Sequence, residues 1–298
     1  MDPLFSRRQF ILAGSGLAVL AACGSKSKVI KVDPNASSGA TALNLVVSTY
    51  IHSAGIDQRV AVAFIQGTAP VTPKGPVDIV FRDQSGKASP SQRGEPHLDG
   101  PDEKAVAAGG NPPGLPYFIV YHRFDNPGIY TAEATYNGKR LTTPLQVTSL
   151  GASGVPGRGQ LMISAPSPTV ADGRGVSPIC TRQPVCPLHD VSLDAALAEK
   201  KPLALLFATP LLCQSRLCGP TLENLLGLRD EFAGRVRFMH SEIYTDTSGK
   251  HLAPLVEAYH LESEPFLFLA KADGTVFDRL DNAVDQAEMR AALNRLSA

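Results

Sequence analysis

The sequence contains no tryptophan and only four methionines in 298 residues. It has no surplus of either charge, since 28 Lys and Arg stand against 28 Asp and Glu. A protein that holds nucleic acid through its surface field needs a basic excess, so nucleic acid is excluded as a partner. No apolar run reaches the roughly 18–20 residues that cross a bilayer as a helix, which excludes a polytopic membrane protein. Gly-x4-Gly-Lys-Ser/Thr, Gly-x-Ser-x-Gly and His-Glu-x-x-His are all absent. Nucleotide-cradle, nucleophile-elbow and zincin chemistry therefore have no footing. What the chain does have is a 43% hydrophobic content, 24 prolines and five cysteines. That is enough apolar matter for ordinary cores, with the punctuation of β-turns and stiff connections. The length suggests two domains.

The N-terminus reads as an address. Arg7 and Arg8 precede an uncharged stretch, Phe10 to Ala22, too short to span a bilayer. Ser6-Arg7-Arg8-Gln9-Phe10-Ile11 resembles the twin-arginine export motif, with the general secretory route as the alternative. Leu20-Ala21-Ala22-Cys23 resembles a bacterial lipobox, which implies cleavage after residue 22 and lipidation of Cys23. An ordinary cleaved signal with an incidental cysteine is the alternative. The expectation is a membrane-anchored lipoprotein facing the periplasm or another extracytoplasmic space. Residues 23–42, rich in Ser, Lys, Gly and Ala, would form its flexible stalk.

In an oxidising compartment the other four cysteines, Cys180, Cys186, Cys213 and Cys218, most simply form two disulfides. Three pairings exist, and local closure favours Cys180–Cys186 and Cys213–Cys218.

Residues 43–148 alternate with period two. Leu43–Val47, Arg59–Phe64, Val77–Phe81 and Tyr117–Tyr121 read as strands. Gly128–Tyr136 and Lys139–Val147 flank Asn137-Gly138, the strongest short hairpin signal, because both turn positions need positive φ. Asp125-Asn126-Pro127-Gly128-Ile129-Tyr130 resembles the tyrosine corner of immunoglobulin-like sandwiches, although the antibody-type Cys and Trp are missing. An all-β Ig-like sandwich is the expectation, with Gln84–Pro116 as a long loop. His52, His97 and His122 are scattered and suggest no catalytic set.

Residues 149–190 are a Gly/Pro-rich linker, with one short strand expected at Gln160–Ala165. Cys180, Cys186 and His189 give only three metal ligands at irregular spacing, so a structural disulfide is expected there and no metal or cofactor.

From residue 191 the order becomes α/β. A helix at Leu193–Lys200 precedes an apolar run, Pro202–Thr209, suited to a strand covered on both faces. A cysteine-containing loop, a helix, a strand at Val236–Ile243 and a helix at Ala253–Tyr259 come next. Strands at Phe266–Ala270 and Thr275–Leu280 and a helix at Gln286–Leu296 complete the region. The region resembles the thioredoxin-like superfamily. Three features carry this: a cysteine pair between the first strand and the next helix, Cys218-Gly219-Pro220, and Pro265 directly before an apolar strand. The resemblance implies a thioredoxin-like fold and a redox site of Cys213, Cys218 and the cis-proline Pro265. It departs at Thr221, which stands where the family has its second cysteine, so the pair is C-x4-C. By analogy Cys218, at the helix start, would attack and Cys213 would resolve.

Three functions are open. One is a thiol–disulfide oxidoreductase acting on disulfide- or thiol-bearing exported proteins. Another is a redox-inactive binding scaffold with structural disulfides. The third is a copper-handling protein in which His240, His251 or His260 completes a site with Cys213 and Cys218.

Overall fold

The chain is described by a computed structural model over residues 42–71, 75–100 and 114–298. The export signal, Cys23 and nearly all of the expected stalk lie outside the described residues.

Strands β1 (Leu43–Val47), β2 (His52–Ser53), β3 (Asp57–Gln66), β4 (Ala69–Val71) and β5 (Val77–Arg82) precede β6 (Gln92–Asp99) and β7 (Leu115–Arg123); β8 (Gly128–Tyr136) and β9 (Lys139–Thr148) complete the run. They form one nine-stranded sheet in the order β1-β3-β7-β6-β5-β8-β9-β2, with β4 on β3. The sheet curls so that Leu45, Val60, Val62 and Phe64 share a core with Ile79, Phe118, Ala132 and Leu145. What the structure shows of the expected sandwich is thus a single curled sheet. Asn137 and Gly138 close the β8–β9 hairpin with φ of 50° and 73°, the left-handed pair that Asn-Gly supplies at little cost. The hydroxyl of Tyr130 donates to the Asn126 carbonyl at 3.0 Å, the corner expected from the sequence. The expected loop at Gln84–Pro116 is corrected in part, because it contains β6, antiparallel to both β5 and β7. Its alternation is weak, with Gly94 and Pro96 in the middle, so period two does not reveal it.

Residues 149–190 form an irregular strap. The expected strand at Gln160–Ala165 is reduced to an isolated bridge between Leu161 and Thr275. Next come helix α1 (Leu193–Ala198), β10 (Leu203–Phe207), α2 (Cys218–Leu226), β11 (Arg237–Ser241), α3 (Pro254–Ala258), β12 (Phe266–Ala270), β13 (Val276–Asp281) and α4 (Gln286–Leu296). The four strands order as β11-β10-β12-β13, with β10 parallel to β11 and antiparallel to β12. Because side chains alternate along a strand, β10 feeds two cores. Ala204 and Leu206 pack with Leu222, Leu225, Met289 and Leu293 of α2 and α4. Leu203, Leu205 and Phe207 pack with Leu193, Leu255 and Val256 of α1 and α3. This is the helix-covered sheet that the unbroken apolar run in β10 requires.

Alternation also joins the curled sheet to this layer. Val60 and Val62 of β3 point into the curl, while Arg59 and Ala61 point the other way. Arg59 is fully buried. Its Nε donates to Glu288 Oε1 at 2.5 Å, its Nη2 to Glu288 Oε2 at 3.0 Å, and its Nη1 to the Asp281 carbonyl at 2.8 Å. Tyr117 of β7 donates to Glu288 Oε2 at 2.7 Å, and Tyr121 to Asp278 Oδ2 at 2.6 Å. Leu43–Ala298 accordingly forms one compact unit.

Removing one partner from a buried ion pair leaves the other charge unpaired and desolvated, at a cost of about 3–5 kcal/mol. Arg59→Met should therefore lower unfolding stability by that amount in urea titration. A loss below about 1 kcal/mol would show that the cluster does not hold the two layers together.

Candidate functional site

The loop after β10 brings Cys213 and Cys218 together in a specific way. The Cys213 amide donates to the Thr209 carbonyl and the Arg216 amide to the Cys213 carbonyl, so the chain turns back on itself. Arg216 takes the left-handed conformation, φ 61°, that the reversal needs. The outcome is that the Cys218 amide, at the first position of α2, donates to Cys213 Sγ at 3.3 Å. The sulfur of Cys213 therefore sits where the helix presents an unsatisfied N–H and the positive end of its dipole.

The two thiols differ sharply. Cys213 is partly buried and Cys218 is 0% exposed. The Cys213 thiol is pulled down to about 6, chiefly by its hydrogen bond with Cys218 and further by the Ser215 hydroxyl and backbone amides, against the opposing effect of burial. Burial, and then the hydrogen bond and charge of Cys213, push Cys218 well above the ordinary thiol range. The more acidic thiol is therefore Cys213, not the helix-start Cys218. Cys218 holds the helix-start position in sequence, but its sulfur points into the core beside Leu222 and Ala208. The helix N–H is spent on Cys213 instead.

The Glu264–Pro265 bond is cis and opens β12. The Tyr50 hydroxyl, from the curled-sheet part of the chain, donates to the Glu264 carbonyl at 2.9 Å. Burial raises the Tyr50 phenol, and the charges that add to the rise are those of Asp281, Cys218, Glu264 and Cys213, which places the ring among the site residues. Leu217, between the cysteine loop and α2, packs against Ala61, Tyr117 and Ala283. The curled sheet therefore walls one side of the site, a contribution that sequence reading did not assign. Thr221, at the family's second-cysteine position, is buried, and its hydroxyl has no hydrogen-bond partner among the described residues.

Cys180 and Cys186 lie elsewhere on the same core face. They are free thiols in the structure, as are Cys213 and Cys218. Of the three histidines considered as copper ligands, His240 turns toward Cys180 and Cys186, while His251 and His260 are exposed.

No protein-family model matches the sequence, and a search of curated proteins found no relative. Among solved structures, a thiol:disulfide interchange protein of the thioredoxin family from Chlorobium tepidum TLS matches 46% of this chain and 99% of its own, at 16% identity and a TM-score of 0.29. The ZirS C-terminal domain matches 49% of this chain and 94% of its own, at 12% identity and a TM-score of 0.19. Both likenesses are remote. The strand order β11-β10-β12-β13 and the cis-proline before β12 are those that the resemblance to the thioredoxin-like superfamily implies.

Alkylation of Cys213 by iodoacetamide should rise with pH about a midpoint near 6. An ordinary thiol reaches half its maximal rate near pH 8.5. Cys218→Ala removes the largest acidifying contact and should move the midpoint upward, as read by mass spectrometry of the labelled peptide. A wild-type midpoint near 9 would show that the loop does not hold a thiolate. Thr221→Val keeps the shape and deletes an unpaired buried hydroxyl, so thermal unfolding should show no loss and a gain of up to about 1 kcal/mol.

Proposed function

We propose that this chain is a membrane-anchored, extracytoplasmic thioredoxin-like lipoprotein that exchanges disulfides through Cys213 and Cys218. The observation that carries the reading is the asymmetric pair, an acidified and only partly buried Cys213 capping α2 over a fully buried, protonated Cys218. That asymmetry is what two-step exchange needs.

In the reductive direction the Cys213 thiolate attacks one sulfur of a partner's disulfide. The partner's S–S bond breaks, a mixed disulfide forms, and the first partner sulfur leaves as thiolate and takes a proton. Cys218 then passes its proton, through solvent, to the departing sulfur as it attacks Cys213 Sγ, which releases the second partner sulfur as a thiol. The partner gains two electrons and the chain is left with a Cys213–Cys218 disulfide, to be reduced again by an exported dithiol protein. In reverse, the same steps oxidise a partner dithiol. Roles are thus exchanged relative to the family analogy, with Cys213 as nucleophile and Cys218 as resolving thiol. Pro265 and Glu264 would border the docking surface of the partner strand.

The export motif, Cys23 and the Ser/Lys/Gly-rich stretch after it support tethering by acyl chains at a membrane. The curled sheet, read as an Ig-like sandwich from its tyrosine corner, would serve as a spacer and as the wall beside the site. Partners would be disulfide- or thiol-bearing exported proteins.

Equilibration of the chain against glutathione buffers, with each thiol mapped by mass spectrometry, tests the reading. A Cys213–Cys218 pair that opens between about −120 and −270 mV supports turnover. A bond that stays closed below about −300 mV would make it structural and the protein a binding scaffold.

A further inference from the structure

We propose that Cys180, Cys186, His189 and His240 form a zinc site that fastens the strap to the edge of the four-stranded sheet. This inference does not depend on the redox reading of Cys213 and Cys218.

Three of the ligand atoms come from ten residues of the strap and the fourth from β11, and all four are buried and lie within 4.8 Å of one another. His240 Nδ1 is 3.2 Å from His189 Nε2, 3.4 Å from Cys186 Sγ and 3.7 Å from Cys180 Sγ. Cys186 Sγ is 3.2 Å from His189 Nε2. A tetrahedral zinc ion holds imidazole nitrogen at about 2.0–2.1 Å and thiolate sulfur at about 2.3 Å. Its ligands are then about 3.3 Å apart for two nitrogens, about 3.6 Å for nitrogen and sulfur, and about 3.8 Å for two sulfurs. The four observed separations fit within a few tenths of an ångström, and the other two pairs, both involving Cys180, lie within 4.8 Å.

The proton inventory points the same way. His240 Nε2 lies 3.0 Å from the Ala208 carbonyl, which can only accept, so Nε2 carries the hydrogen and Nδ1 presents its lone pair to the cluster. A ring fixed through its far nitrogen by a carbonyl is the usual support of a metal-bound histidine. A Cys180–Cys186 disulfide would take both sulfurs out of the donor set and leave the two imidazoles as a hydrogen-bonded pair. A zinc ion accepts all four donors at once, displacing the two thiol protons to solvent and leaving two thiolates and two neutral imidazoles around a dication. Four protein ligands leave no open position, which marks a structural site and not a catalytic one.

The fold explains how the ligands converge. His240 follows Phe238 by two along β11 and so shares its face, toward the core that holds both cysteines. The His240 amide donates to the Leu188 carbonyl, which sets the strap along the open edge of β11 and brings His189 alongside. Residues 183–185, between the two cysteines, are exposed. The same loop reaches the thiol pair, since the Leu211 amide donates to Thr181 Oγ1 at 3.2 Å, one residue from Cys180 and two from Cys213.

The test uses the full chain, purified with its thiols reduced. It should carry one zinc per chain by elemental analysis. Replacement with Co2+ should give the intense visible absorption of a tetrahedral site with two sulfurs and two nitrogens. His189→Ala and Cys186→Ser should lose the metal, whereas the Cys213→Ser/Cys218→Ser double variant should keep it. Removing zinc from the wild type with a chelator should raise the alkylation rate of Cys213 severalfold, because the Thr181 support is released. The cobalt spectrum of the wild-type chain decides the matter even where a ligand variant does not fold. The proposal is overturned by a Cys180–Cys186 disulfide with no zinc uptake after reduction. It is equally overturned by binding of Cu(I) without zinc, or by loss of the metal only in the Cys213/Cys218 variant.

Discussion

The guanidinium of Arg59 stands at the junction on which the remaining architecture depends. A buried cation must be surrounded by acceptors, and this one takes both oxygens of Glu288 and the carbonyls of Asp281 and Ala283, with the Asp281 carboxylate nearby. Those acceptors belong to the end of β13 and the start of α4, so satisfying one side chain fixes the layer that carries the site against the curled sheet. Desolvation makes such an arrangement costly to form and more costly to break. Its main effect is to set one relative position. Tyr117 and Tyr121 of β7 add polar contacts along the same face, and Leu217 and Ala61 seal it with apolar ones.

That fixed position determines what the cysteine loop can be. A C-x-x-C pair places its thiols one helical turn apart, whereas a C-x4-C pair needs a reversal of the chain, provided here by the Cys213–Arg216 turn. The reversal exchanges the environments of the two sulfurs. The sulfur on the loop receives the helix N–H, and the sulfur on the helix receives the core. One principle, that a thiolate forms where donors converge and water remains within reach, thus favours opposite members of the pair in the two spacings.

Much of this was legible in the sequence. The β8–β9 hairpin, the Tyr130 corner and α4 at Gln286–Leu296 follow from turn chemistry and periodicity alone. The succession of helices and strands in the C-terminal region was readable from its apolar runs, and the runs of β10 and β12 called for a doubly covered sheet. Three things were not readable. An arginine at a strand edge, such as Arg59, normally signals solvent, and nothing local distinguishes one that meets a glutamate 229 positions away. Strand β6 lacks alternation because its outward residues and Gly94 break the period. The fourth member of the Cys180 cluster was hidden by distance. With His189 alone the set was one ligand short, and His240 became a neighbour only when β11 was laid beside the strap. A signal was present even so, since a histidine two residues after a core phenylalanine in an apolar strand lies on a buried face and needs a polar partner there.

The hydrogen bond from Tyr50 to the Glu264 carbonyl bears on the shape of any partner. In combination with Leu217 packed on β3 and β7, it closes the flank of the site beside Pro265, while Leu211, 63% exposed, leaves the opposite flank open. If Cys213 exchanges disulfides as proposed, its partner would approach past Leu211 and not across the curled sheet, so the rigid neighbour would favour a narrow protruding loop over a broad, flat surface.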